Sequence, residues 1–150
     1  MLPKVPSFYH YDVDCINRGL EEEYVKVEKW FEGVMRAMQD KMLEIIADKG
    51  ISIECNPSSN VLIGPFNEYC EHPITRFNNY ILEDNENNPE VKVSINTDDL
   101  GVFDTSLENE YALMYEAIYE MRKDQGKKSR ARVYEYLKYI KDMGYEISFK

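Results

Sequence analysis

The chain has 150 residues, 43% of them hydrophobic and 31% charged, with a formal net charge of −10 at pH 7. That length can bury a core, and the balance suits a globular domain rather than a disordered tract. The negative charge opposes a phosphate backbone, so direct nucleic-acid binding is not expected, and no apolar run approaches the roughly 20 residues of a membrane helix.

The opening residues, Met1-Leu2-Pro3-Lys4-Val5-Pro6, lack a long apolar stretch behind a basic cluster and do not read as a signal peptide. Residues 1–16 show no period, and residues 1–20 are read as an irregular lead-in. A long helix is expected over about residues 20–49. Val27, Phe31, Val34, Met38, Met42 and Ile45 recur at helical steps, and Gly50 stands where a helix would stop. The Met-rich stripe reads as a packing face, since Met fills irregular gaps in cores.

Ile51-Ser52-Ile53-Glu54-Cys55 reads as a strand, ended by Asn56-Pro57. Ser58 to Pro65 is a loop or a short helix closed by Gly64. Pro73 suits the first turn of a helix through Ile74, Phe77 and Tyr80. A polar turn, Asp84 to Pro89, leads to a second strand, Val91-Lys92-Val93-Ser94-Ile95. Thr105 with Glu108 forms a capping box for a helix bearing Leu107, Tyr111, Met114, Ile118 and Met121. Gly126 breaks the chain, and the short basic run 127–132 reads as a solvated loop. Ser129 caps a last helix with Val133, Leu137 and Ile140, ended by Gly144, and Tyr145 to Phe149 form a short apolar tail.

Three cysteines, Cys15, Cys55 and Cys70, make an odd set with no Cys-x-x-Cys spacing. Neither a disulfide scaffold nor a cysteine zinc site is expected, and a reducing cytoplasm suits the chain.

Strands alternating with helices predict an α/β fold with parallel pairing. Two strands do not suffice for a sheet covered on both faces, so the chain reads as part of something larger. Asp98-Asp99 directly follow the second strand. Ligands of α/β folds collect at the carboxyl ends of parallel strands. Adjacent extended residues point to opposite sides, so the pair suits a division of labour, one carboxylate on a metal and the other on a substrate. A simple turn with a carboxylate that favours the next helix is the alternative reading.

The stretch 53–64, with Pro57-Ser58-Ser59-Asn60 and Gly64, the His72-Pro73 pair, Ser94-Ile95-Asn96-Thr97-Asp98-Asp99, Phe103, Thr105-Ser106-Leu107 and Glu110-Tyr111 together resemble the adenosine/AMP deaminase family, specifically its adenosine deaminase branch. The likeness is specific over about residues 40–115. It implies a partial TIM (β/α)8 barrel, namely the last two βα units (strands 7 and 8) plus C-terminal helices, with residues 1–150 forming the C-terminal part of such a domain. It implies one zinc ion, whose bound water attacks C6 of a purine nucleoside and releases ammonia, taking adenosine to inosine. By the motif match, Asp98 is the zinc ligand and catalytic carboxylate, and Asp99 binds the substrate at purine N7. Ser94, Asn96 and Thr97 support the strand end, the turn 57–60 shapes the pocket rim, and His72 is a helix-entry residue. Two positions depart from the family: Leu100 stands in place of proline, and Asn56 in place of a frequent cysteine.

The family's His-x-His, its later histidines and its His-Ala-Gly-Glu segment do not occur, and His10 and His72 are the chain's two histidines. Catalytic zinc needs at least three protein ligands, and a barrel takes about 250 residues. The chain is therefore expected to be inactive alone, to expose an apolar helix face, and to partner the missing N-terminal barrel portion or a complementing chain. The alternative function is a non-catalytic interaction or oligomerisation module that retains a deaminase remnant.

Overall fold

A computed structural model of the chain describes residues 11–82, 90–124 and 129–148. The expected polar turn at 84–89, the break at Gly126 and His10 lie outside the described residues. The chain divides into two units, residues 1–35 and 36–150.

Part of the expected lead-in is a helix, α1 (Val13–Leu20). Asp12 caps it, its side chain accepting from the Cys15 N–H at 2.9 Å. Val13, Ile16 and Leu20 do follow a helical spacing, which eight residues show only faintly. The long helix starts later than expected, as α2 (Trp30–Asp48), and residues 21–28 carry neither helix nor strand. Three successive glutamates, Glu21 to Glu23, and the β-branched Val25 and Val27 oppose a helix there. Gly50, at φ 64°, sits just beyond α2, where a left-handed residue ends a helix without a Cβ clash.

Within the second unit, α2 buries Leu43 and half-buries Ile46 and Ala47. Met38, Met42 and Ile45 of the expected packing stripe are exposed. Arg76 ties this part of α2 to the short helix α4 (Ile74–Phe77), donating to Asp40 Oδ1 at 2.6 Å and to the Arg36 carbonyl at 3.3 Å.

The strands β1 (Ser52–Cys55) and β2 (Lys92–Ile95) pair in parallel, with Ile53 opposite Val93 and Glu54 opposite Ser94. The Asn96 N–H donates to the Cys55 carbonyl at 2.9 Å, extending the ladder by one residue. Backbone groups alternate sides along a strand, so Ser94 and Asn96 pair toward β1 while Val93 and Ile95 direct their amides to the other edge.

After β1 comes α3 (Pro57–Ile63). Pro57 at its start has no amide to leave unsatisfied. Gly64 ends it, donating to the Asn60 carbonyl at 2.9 Å, and a Cβ there would lie 2.3 Å from that same oxygen. After β2 come α5 (Leu100–Phe103), α6 (Leu107–Asp124) and α7 (Arg130–Ile147). Ser106, not Thr105, caps α6, accepting from the Asn109 N–H at 3.2 Å. Ser129 caps α7 as expected, accepting from the Arg132 N–H at 3.2 Å. Gly144 does not end α7. It lies inside the helix, where a Cβ would stand 3.5 Å from the Ser94 Cβ, an ordinary contact.

The core gathers Ile74, Val91, Val93 and Ile95 with Met114 and Ile118 of α6 and Val133, Tyr136 and Ile140 of α7. Each large side chain buried this way contributes about 2 kcal/mol. Arg130 joins the two long helices, with its guanidinium 3.0 Å from Glu116 Oε1 and 4.1 Å from the ring centre of Tyr119.

Candidate active site

Because β1 and β2 are parallel and in register, their carboxyl ends lie side by side. The turn 56–60 therefore meets the turn 96–99. Asp98 has a left-handed backbone, at φ 57°, a conformation that aspartate tolerates better than most residues. Its Oδ2 accepts the hydroxyl hydrogen of Ser59 at 2.9 Å. Ser59 is buried and Asp98 is exposed. The bond thus spans from inside the fold to its surface.

Asp99 turns elsewhere. Its Oδ1 accepts from the amides of Gly101 at 2.9 Å and Val102 at 3.0 Å, capping α5. That leaves Oδ2 as its oxygen with room for another partner. Among the described residues, neither carboxylate lines either of two clefts. One, of about 810 Å³, is lined by Glu54, Ser94, Asn96, Tyr111, Lys141 and Tyr145 among others. The other runs beside Val61, Leu62, Phe103 and Leu113.

Beneath Ser59 lies a polar knot. Glu110, fully buried on α6, accepts from the Ser58 amide at 2.9 Å and from the Thr105 hydroxyl. The Ser58 hydroxyl in turn lies 3.1 Å from that of Tyr69. A carboxylate at the first turn of α3 answers the free amides of a helix start. Glu110 belongs to the family resemblance, which implies no role for it, and Ser59 belongs to the turn expected at the pocket rim, with no partner implied. No local signal could have paired residues so far apart.

His72 is buried at the entry to α4, as expected. Its Nδ1 accepts from the Ile74 amide at 3.2 Å, which places the proton on Nε2, 2.9 Å from Asn60 Oδ1. Burial pushes its pKa down to about 4, against a smaller opposing pull from the charge on Glu110. Asn60 Oδ1 also accepts from the Asn56 amide at 3.2 Å, while the buried Asn56 Oδ1 has no hydrogen-bond partner among the described residues. Burial pushes the Cys55 thiol up to about 12, with Glu54 adding to the shift, so this cysteine stays protonated and inert.

Among the described residues, no three His, Cys, Asp or Glu side chains form a group that could hold a metal ion. Asp98 stands as a single carboxylate. These residues alone do not fit a catalytic zinc, which needs at least three protein ligands. Among the described residues, no helix is long and apolar enough to cross a membrane.

A family model described as "Adenosine deaminase" matches residues 22–128. The chain belongs to the adenosine deaminase family. Membership extends over β1, the turn with Ser59, β2, Asp98, Asp99 and Glu110. The adenosine deaminase of Plasmodium vivax (strain Salvador I) is 31% identical over 116 residues, covering 74% of this chain and 30% of that enzyme. The adenine deaminase of Rhizobium leguminosarum bv. trifolii (strain WSM2304) is 34% identical over 84 residues, covering 55% and 23%. The adenine deaminase of Rhizobium meliloti (strain 1021) is 32% identical over 97 residues, covering 64% and 27%. The chain thus spans about a quarter to a third of the length of these family members. No solved structure matches it.

Proposed function

We propose that the chain supplies the last two βα units and the C-terminal helices of a zinc-dependent barrel that hydrolytically deaminates adenosine to inosine. The carrying observation is the Ser59–Asp98 bond at the carboxyl ends of two parallel strands, inside the stretch matched by the family. In this reading Asp98 is one ligand of the metal. The metal, when bound, supplies a water acidified to near neutral pH. Its other ligands come from the polypeptide that carries the remaining strands. Asp98 holds its carboxylate at the strand end, and Ser59 fixes one oxygen so that the other is directed. Asp99 presents Oδ2 to purine N7 while its Oδ1 remains on α5. A shared proton between Oδ2 and N7 is needed, because neither atom donates when unprotonated.

The chain alone is inactive in this account, since a lone carboxylate holds zinc weakly. Its place is the cytoplasm, with the barrel remainder or a complementing chain as its partner. Ammonia release is the test. The chain alone should release none from adenosine, and the chain joined with the remaining strands should release it. Silence from the joined protein, folded and loaded with zinc, would overturn the proposal.

A second reading is favoured by the relatives named adenine deaminases: the substrate is the free base. Turnover of adenine in place of adenosine by the joined protein would select it. The remaining alternative, a non-catalytic interaction module, predicts neither reaction.

A further inference from the structure

The Ser59–Asp98 bond is one link of a closed ring. From Asp98 the chain runs through Asp99 and α5 to Thr105, whose hydroxyl donates to Glu110 Oε1. Glu110 Oε2 accepts from the Ser58 amide at 2.9 Å, and the next residue, Ser59, closes the ring on Asp98. The segment between Asp98 and Thr105 is itself tightly folded. Asp99 caps α5, and left-handed aspartates flank it, Asp98 at φ 57° before it and Asp104 at φ 46° after it. Such a backbone costs free energy in any residue but glycine and persists where surrounding contacts hold it. Glu110 is fully buried, and a carboxylate taken out of water needs donors. It takes one from the turn after β1 and the other from the chain beyond α5. Capping α3 accounts for the Ser58 amide but not for the Thr105 hydroxyl; the two together span the gap between the turns.

We propose that Glu110 is the positioning residue of this site: by gripping the chain on both sides of the Ser59–Asp98 bond, it fixes the direction of the Asp98 carboxylate without touching it. This deepens the proposed function, on which it rests for its chemical purpose, since there Asp98 works through the direction of its free oxygen. Ser59 supplies the bond, but a serine on a loose turn would leave the exposed Asp98 to sample several rotamers. Glu110 removes that freedom from inside the core, where water does not compete for its oxygens.

The Asp98 rotamer in the full chain tests this, read by nuclear magnetic resonance from its three-bond Hα–Hβ and N–Hβ couplings. In the unmodified chain the couplings should be those of a single staggered rotamer. Glu110→Ala drops both bonds and should shift the couplings to the averaged values of a freely rotating side chain. Glu110→Gln should keep the single rotamer, because its carbonyl can accept from the Ser58 amide while the Thr105 hydroxyl accepts from its amide. Thr105→Val opens the ring with a side chain of nearly equal size and should also loosen Asp98; it decides the matter where Glu110→Ala does not fold. Ile118→Val, a core change on the same helix away from the ring, costs about as much stability as one lost hydrogen bond and should leave the couplings unchanged. Four results would overturn the proposal: averaged couplings in the unmodified chain, a single rotamer kept in folded Thr105→Val or Glu110→Ala, averaging in Glu110→Gln, or equal loosening in Ile118→Val. The couplings report a direction and not deamination, so the ring and the proposed reaction can fail separately.

Discussion

The Ser59 hydroxyl donates to Asp98 Oδ2 across 2.9 Å, joining the turn after β1 to the turn after β2. This bond gives a surface carboxylate a fixed direction, and it is made from a side chain buried within the fold. Removing the donor and neutralising the acceptor should separate stability from function. Ser59→Ala should cost about 1 kcal/mol, the net worth of one hydrogen bond, read as a shift in urea midpoint. Asp98→Asn keeps an acceptor oxygen and a residue that tolerates the left-handed backbone. It should change stability by less than about 0.5 kcal/mol.

Asp99 caps α5 with the oxygen that faces Gly101 and Val102. Asp99→Ala should destabilise the chain by about 1 kcal/mol, as for other lost helix caps, whereas Asp99→Asn should cost only a few tenths. In a completed enzyme Asp99→Asn should retain zinc and weaken purine binding. Loss of zinc in that variant would mean that the two carboxylates have exchanged roles.

Glu110 is fully buried between the start of α3 and the start of α6. Glu110→Ala leaves the Ser58 amide without a partner inside the fold and should cost about 3 kcal/mol in denaturant unfolding. Glu110→Gln retains one acceptor oxygen and should cost less. Equal losses in the two variants would show that volume, not the acceptor, is what matters there.

His72 makes stability depend on pH. Its pKa is about 4 in the fold against an ordinary value of 6.5. Between those values the unfolded chain takes up a proton that the folded chain refuses. The contribution is therefore complete above about pH 6.5 and is lost as pH falls toward 4, a change of roughly 2–3 kcal/mol. His72→Gln should flatten this slope. Urea midpoints measured at pH 4.5 and pH 7 would reveal it.

Both strands and the Ser129 cap are legible in the sequence because each rests on neighbours within a few residues, and the parallel pairing of β1 with β2 is legible from the alternation of strands with helices. The placement of Asp98 at a strand end followed from the short apolar run before it. Other features depend on distant partners and left no local trace. Glu110 and Ser58 are 52 positions apart, and Ser59 and Asp98 are 39 apart. Gly144 reads as a helix stop because glycine weakens a helix by about 1 kcal/mol, yet α7 runs on to Ile147, with Val133, Tyr136, Leu137, Ile140 and Met143 buried along it. Thr105 read as a cap because of its spacing from Glu108. Its hydroxyl instead goes to Glu110, and Ser106 takes the capping role. α2 starts later than its periodicity predicts, because the apolar spacing continues back to Val27 through residues whose charge and branching oppose a helix.

Zinc content is the most direct measure of the central claim. Equilibrium dialysis of the chain joined with its remaining barrel strands should give one zinc per assembly, the chain alone should give none, and Asp98→Asn in the joined protein should abolish tight binding. Full zinc occupancy in the folded Asp98→Asn assembly would contradict the account.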